Sequence, residues 1–205
     1  MTAMMPNTLL ASVRKDGQRG ISLVIVLIFL VILSILGISA MQSSTLSSRI
    51  ALNESDRNIA FQAAEAAIID AERDLANLKA DGTACVAGAS PCRTELTDGA
   101  AGFDGSVCNL GRCCTLSSTN LCPAAIKPAK LPVWEDADRW TSASSVVYGA
   151  FTDATPIPVV SQQPRYLLEY FPIGATGNYY RVTAVGYGAK SSTQVMLQTT
   201  VRQKK

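Results

Sequence analysis

Residues 21–40 read ISLVIVLIFLVILSILGISA, and no charged side chain occurs from Ile21 until Arg49. Fifteen of these twenty residues are Ile, Leu, Val or Phe. Twenty residues of α-helix rise roughly 30 Å, the thickness of a bilayer core. Each such side chain favours insertion by about 0.3 to 0.6 kcal/mol, and Ser22, Ser34, Gly37 and Ser39 only trim the sum. A buried helix of a soluble protein seldom runs this far without a charge. The sequence predicts a membrane helix over residues 21–40.

Its flanks orient it. Arg14, Lys15 and Arg19 precede the run closely, whereas Arg49, Glu54, Asp56 and Arg57 on the far side mix both signs. The positive-inside bias keeps the N-terminus cytoplasmic and sends residues beyond about 45 across the membrane. A secretory signal would have an apolar region of about 7 to 15 residues followed by a small-residue cleavage site. Here the run is longer, and Gly37-Ile38-Ser39-Ala40 matches such a site weakly. The sharper junction is on the other side, where Gln18-Arg19-Gly20 abuts the apolar run. Met4 and Met5 leave the start codon open.

The rest of the chain is electrically neutral. The whole sequence carries +2, which Arg14, Lys15, Asp16 and Arg19 already account for. No basic field is present to attract nucleic acid, and no acidic one to attract cations. Histidine is absent, which removes the commonest general base near neutral pH and the commonest transition-metal ligand. No pair of carboxylates is singled out by spacing. The reading is therefore not an enzyme, with no cofactor and no metal.

All six cysteines, Cys85, Cys92, Cys108, Cys113, Cys114 and Cys122, lie in one stretch rich in Gly, Ser, Thr, Pro and Asn. The even count in an exported domain predicts a disulfide framework. A metal or iron–sulfur site is the rival, but no CxxC pair occurs. Three bonds among six cysteines allow fifteen connectivities. Local pairs such as Cys85–Cys92 are preferred, with Cys122 joining Cys113 or Cys114. The adjacent Cys113 and Cys114 are not expected to bond each other.

Helical periodicity continues past the membrane run. Phe61, Ala64, Ile68, Ala71, Leu75 and Leu78 recur three and four residues apart, and no proline intervenes between Ile21 and Ala80. A helix over residues 21–80 is predicted, stopped by Asp81-Gly82. Residues 83–130 form a loop-rich, cysteine-bearing region. The segment Trp134-Glu135-Asp136-Ala137-Asp138-Arg139-Trp140 reads as a short helix or turn that buries both tryptophans. A calcium site on Glu135, Asp136 and Asp138 is the sharper alternative, but the spacing fits no standard loop. Four strand-like runs follow, at residues 145–151, 165–171, 179–187 and 193–202, separated by Gly, Pro and Asn. Short connections predict antiparallel neighbours, and the second half of the helix can cover the sheet. Gly186 and Gly188 read as bulge or bend positions. The predicted class is α+β: a long N-terminal helix, half of it transmembrane, on an antiparallel sheet of about four strands. The predicted division is residues 1–20, 21–80 and 81–205.

A basic leader ending in Gly20, followed directly by an uninterrupted apolar helix, resembles the leader of type IV prepilins. Residues 53–73, with Ala60-Phe61-Gln62-Ala63-Ala64-Glu65-Ala66-Ala67, resemble the corresponding helix of the PilX family of minor pilins. Residues 180–188 and 195–199 resemble PilX-type C-termini. The resemblance implies a pilin-like fold and cleavage by prepilin peptidase after Gly20, leaving Ile21 as an N-methylated first residue. It implies a single-pass inner-membrane protein with a periplasmic head that later resides at the pilus tip on the cell surface. Its partners would be other minor pilins, the major pilin and a tip adhesin, with a role in nucleating the filament and in cell adhesion. A pseudopilin of a type II secretion system, or a membrane-anchored periplasmic binding module, are the alternatives. One departure stands out: most pilins carry glutamate five residues after the cut, and here that residue is Ile25.

Overall fold

A computed structural model describes residues 20–86, 88–93, 103, 108–113, 132–141, 143–172 and 178–203. The chain divides between Ile50 and Ala51 into two units, and the division falls inside the first helix. Helix α1 runs Ile21–Leu75. Among the described residues six strands follow: β1 (Cys108–Asn109), β2 (Arg112–Cys113), β3 (Val146–Val147), β4 (Arg165–Pro172), β5 (Asn178–Tyr187) and β6 (Gln194–Gln203).

The helix ends five residues earlier than the breakers suggest, for a local reason. Asn77 takes φ 53°, a left-handed conformation that asparagine tolerates. The Leu78 N–H then donates to the Arg73 carbonyl at 2.8 Å and the Asn77 N–H to the Asp74 carbonyl at 3.2 Å, which satisfies two end carbonyls. Asp81-Gly82 serves instead in the turn beyond, where Asp81 Oδ1 accepts from the Thr83 N–H and hydroxyl at 2.8 and 2.7 Å.

The sheet is mixed and has six strands where four antiparallel ones were expected. Its order is β1-β2-β4-β5-β6, with β3 also on β4. The long strands β4, β5 and β6 pair antiparallel in unbroken register, with Leu168 opposite Val182 and Val182 opposite Thr199. The additions are two-residue strands, too short for an alternating pattern to reveal. β1 and β2 form a hairpin through Leu110 and Gly111, both at positive φ, and β2 joins β4 in parallel. The predicted strand at 145–151 shrinks to β3, because residues from Tyr148 onward turn back toward α1.

Each face of the sheet carries a buried cluster. On one, Tyr166, Leu168, Tyr170, Tyr180, Val182 and Ala184 pack with Ala67, Ala71 and Leu75 of α1 and with Phe103. Phe103, Tyr170 and Tyr180 form a ring cluster with centroids 5.5 to 6.0 Å apart. On the other, Leu167 packs with Cys108, Cys113, Val133 and Trp140. The Trp134–Trp140 segment forms two short 3-10 helices, Val133–Glu135 and Ala137–Trp140. Its tryptophans are half-buried, not fully buried: Trp140 Nε1 donates to the Trp134 carbonyl, and Arg181 lies 4.1 Å over the Trp134 ring.

The buried stripe of α1 is rotated from the expected one. It comprises Asp56, Ala60, Ala63, Ala64, Ala67, Asp70, Ala71, Asp74 and Leu75, while Phe61 is exposed and Ile68 half-buried. Alanine rather than bulk is required because the sheet approaches so closely. A Cβ on Gly186 would lie 2.1 Å from the Ala60 carbonyl oxygen and 2.3 Å from the Ala64 nitrogen. Gly186 is thus neither a bulge nor a bend, since the β5–β6 register runs straight through it, whereas Gly188 lies just past β5 where the chain turns, with Asp56 against it. Gly186 is there to admit helix backbone.

Candidate functional site: an apolar helix and three aspartate clamps

The first unit contains the processing residues predicted from sequence. Gly20 has φ 141°, and α1 begins at the next residue. An added Cβ at Gly20 would meet nothing within 4 Å, so what glycine supplies there is backbone conformation, not space. Every residue from Ile21 to Ile50 is exposed, Ile25 at 48 % and Leu23 at 75 %. The helix is long and apolar enough to cross a membrane. Fully burying one such side chain is worth about 1.5 to 3 kcal/mol, so this helix calls for lipid or for other apolar helices.

The second unit is clamped by three aspartates on the buried face of α1. Asp56 Oδ1 accepts from the Lys190 N–H at 3.2 Å in the turn between β5 and β6. Hydrogen bonding by Thr193, together with the Lys190 and Ala189 backbone, holds its carboxyl below the ordinary range. Asp70 accepts from the Gly149 N–H at 2.8 Å and from the Thr152 hydroxyl. Asp74 accepts from Arg93 Nε at 2.8 Å, from Arg93 Nη2, and from the Tyr166 hydroxyl at 2.8 Å. Burial raises the Asp70 and Asp74 carboxyls, against the pull of these donors. Burial also pushes the Tyr166 phenol far up, so it stays a donor. A burial-matched alternative would be apolar, but each aspartate reaches a different loop and so fixes that loop to the helix.

These shifts have opposite consequences for stability. An acid whose native pKa lies above its unfolded value, 3.8 here, stabilises the fold fully below 3.8 and loses that contribution as pH rises through the native value. Asp70 and Asp74 act in that direction. Asp56 acts oppositely: its contribution is present above 3.8 and lost as pH falls through its lowered value. Asp70→Asn removes the Asp70 part while still offering an acceptor to Gly149 and a donor to Thr152. The expected outcome is a flatter melting temperature between pH 4 and 7.5 than wild type, with a loss at pH 4 of no more than about 1 kcal/mol. Thermal melts of the two proteins across that range check it.

Cys85 bonds Cys92, as preferred from sequence, and Cys108 bonds Cys113 across the β1–β2 hairpin. The second bond excludes Cys113 as a partner for Cys122. Cys114 and Cys122 lie outside the described residues. No group of three or more carboxylate, cysteine or histidine ligands is gathered among the described residues. Asp136, one of the three calcium candidates, instead caps its own turn through the Asp138 N–H and pairs with Arg139.

The aspartates and Arg93 are the features sequence reasoning missed. Asp56, Asp70 and Asp74 are separated by fourteen and four residues, which places them on one stripe with the alanines. An apolar-only search for the stripe passes over them.

Two family models match the chain: PilX N-terminal over residues 19–68, and Type IV pilus assembly protein PilX C-term over residues 89–203. No curated protein and no solved structure matches it.

Proposed function

From the premise that this chain belongs to the PilX family, and so is a type IV pilus minor pilin, we propose that it initiates filaments and sits at their tip. The family is a structural component of the pilus and associates with other pilus components. The single-pass anchor is the apolar helix. The finer reading takes Gly20 as the last leader residue and Ile21 as the mature, N-methylated first residue, with the head periplasmic before assembly.

The observation that carries the tip assignment is Ile25. In pilins generally, the glutamate at that place complements the N-terminal ammonium of the subunit assembled before it. An ammonium held among apolar helices without an acid is costly. A subunit with Ile25 cannot serve a predecessor, yet its own Ile21 amine can meet the acid of the subunit added next. The favourable arrangement is one copy with the others added below. Deleting the gene is expected to reduce the number of pili several-fold while the survivors keep normal diameter. Counting pili by negative-stain microscopy checks this; unchanged numbers would count against initiation. Ile25→Glu is expected to give no gain in piliation by the same count, since no earlier amine awaits it.

A further inference from the structure

Arg93 is the point where both described disulfide loops meet the end of α1. It directly follows Cys92. Two of its nitrogens bond Asp74, and Nη1 donates to the Leu110 carbonyl at 3.1 Å, inside the hairpin that Cys108–Cys113 closes. The guanidinium lies 4.0 Å from the Phe151 ring centroid. The Arg93 side chain is 8 % exposed and that of Asp74 2 %. Cys85 approaches from the helix end, its N–H donating to the Asn77 carbonyl at 2.8 Å and its sulfur 3.8 Å from the Phe151 carbonyl oxygen. The Cys85–Cys92 bond therefore ties the residue before Arg93 to a point already fixed to the turn that ends α1.

We propose that the Cys85–Cys92 disulfide is a redox latch: closing it seats Arg93 on buried Asp74, and opening it frees the guanidinium from a carboxylate that stays buried. On closing, two thiols form one S–S bond. Their two electrons and two protons pass to the disulfide of an exchange partner, which leaves as a dithiol; reduction by a dithiol is the reverse. With the bond open, Arg93 gains chain freedom and competes with water, while Asp74 keeps the Tyr166 hydroxyl and the weaker attraction of Arg112. A buried ion pair that loses one partner is strongly destabilised. The head thus locks onto the end of α1 only where thiols are oxidised, so a chain that has not reached an oxidising compartment lacks its finished form.

The coupling is reciprocal, so the ion pair must also protect the disulfide. The test uses the full chain extracted in detergent and equilibrated across ratios of reduced to oxidised dithiothreitol. Thiols are trapped by alkylation, and the Cys85–Cys92 peptide is quantified by mass spectrometry. Wild type is expected to need a ratio at least about tenfold higher for half-reduction than Asp74→Asn or Arg93→Met, a fraction of what breaking a buried ion pair costs. The double variant should shift no further than either single one. Thr152→Val, which cuts the Asp70 clamp instead, should leave the midpoint where wild type has it. Equal midpoints for wild type, Asp74→Asn and Arg93→Met overturn the latch. So does an equal shift for Thr152→Val, because the disulfide would then report general stability. All these proteins keep their native cysteines, so the result does not depend on a cysteine-free variant folding.

Discussion

Gly186→Ala is expected to lower the melting temperature of the head by about 9 °C, and Gly186→Val to leave no folded head at all. The added Cβ meets the Ala60 carbonyl oxygen at 2.1 Å, the Ala64 nitrogen at 2.3 Å and the Ala64 Cα at 2.9 Å. All three are backbone atoms, so no side chain can swing aside. The helix must lift from β5, which opens the contacts of Ala60, Ala63, Ala64 and Ala67, all at most 2 % exposed. Overpacking costs about 1 to 3 kcal/mol where side chains can yield, and the upper end applies here. About 3 kcal/mol corresponds to roughly 6 to 12 °C for a domain of this size. Gly37→Ala is the internal control: a Cβ there meets nothing within 4 Å, and the change removes a glycine from a helix interior. It should cost nothing in a thermal melt and slightly favour helix, by up to about 1 kcal/mol.

Gly20→Glu should act in an all-or-none way on a different property. The large acidic side chain enters a junction where glycine's backbone conformation, φ 141°, leads directly into the first turn of α1. If the leader is removed after residue 20, the variant stays full-length in the membrane and never enters a filament, although its head folds. Mass spectrometry of the N-terminal peptide checks this. Wild type should begin at Ile21 with one added methyl group, and the variant should retain the leader. A wild-type protein that keeps residues 1–20 would instead be a plain membrane-anchored module.

The elements that bury or expose whole apolar runs were readable before any coordinates. Residues 21–40 carry their signal in a charge-free length, and β4, β5 and β6 carry theirs in Val, Tyr and Thr between turn residues. Each differs from its predicted bounds by no more than one residue at an end. What escaped has two physical causes. β1, β2 and β3 have two residues each, and a period of two needs a longer run to register. The helix stripe was misplaced because its centre is alanine and aspartate. Small residues were selected by the backbone approach at Gly186 and charged ones by partners distant in sequence, Arg93, Thr152 and Lys190. Neither reason can be read from hydrophobicity along the helix. The local bond Cys85–Cys92 was legible from proximity, whereas Cys108–Cys113 depended on a hairpin turn through Leu110 and Gly111, at φ 47° and 79°, that the leucine conceals.

A minor pilin with Ile25 in place of the acid is expected to occupy the end of the filament. Immunogold labelling of sheared pili with antibody against the head of this chain tests it most directly. Gold is expected only at one end of each filament, at about one cluster per pilus. Gold spaced evenly along the shafts would contradict it, because a subunit within the shaft must supply an acid to its predecessor and Ile25 supplies none.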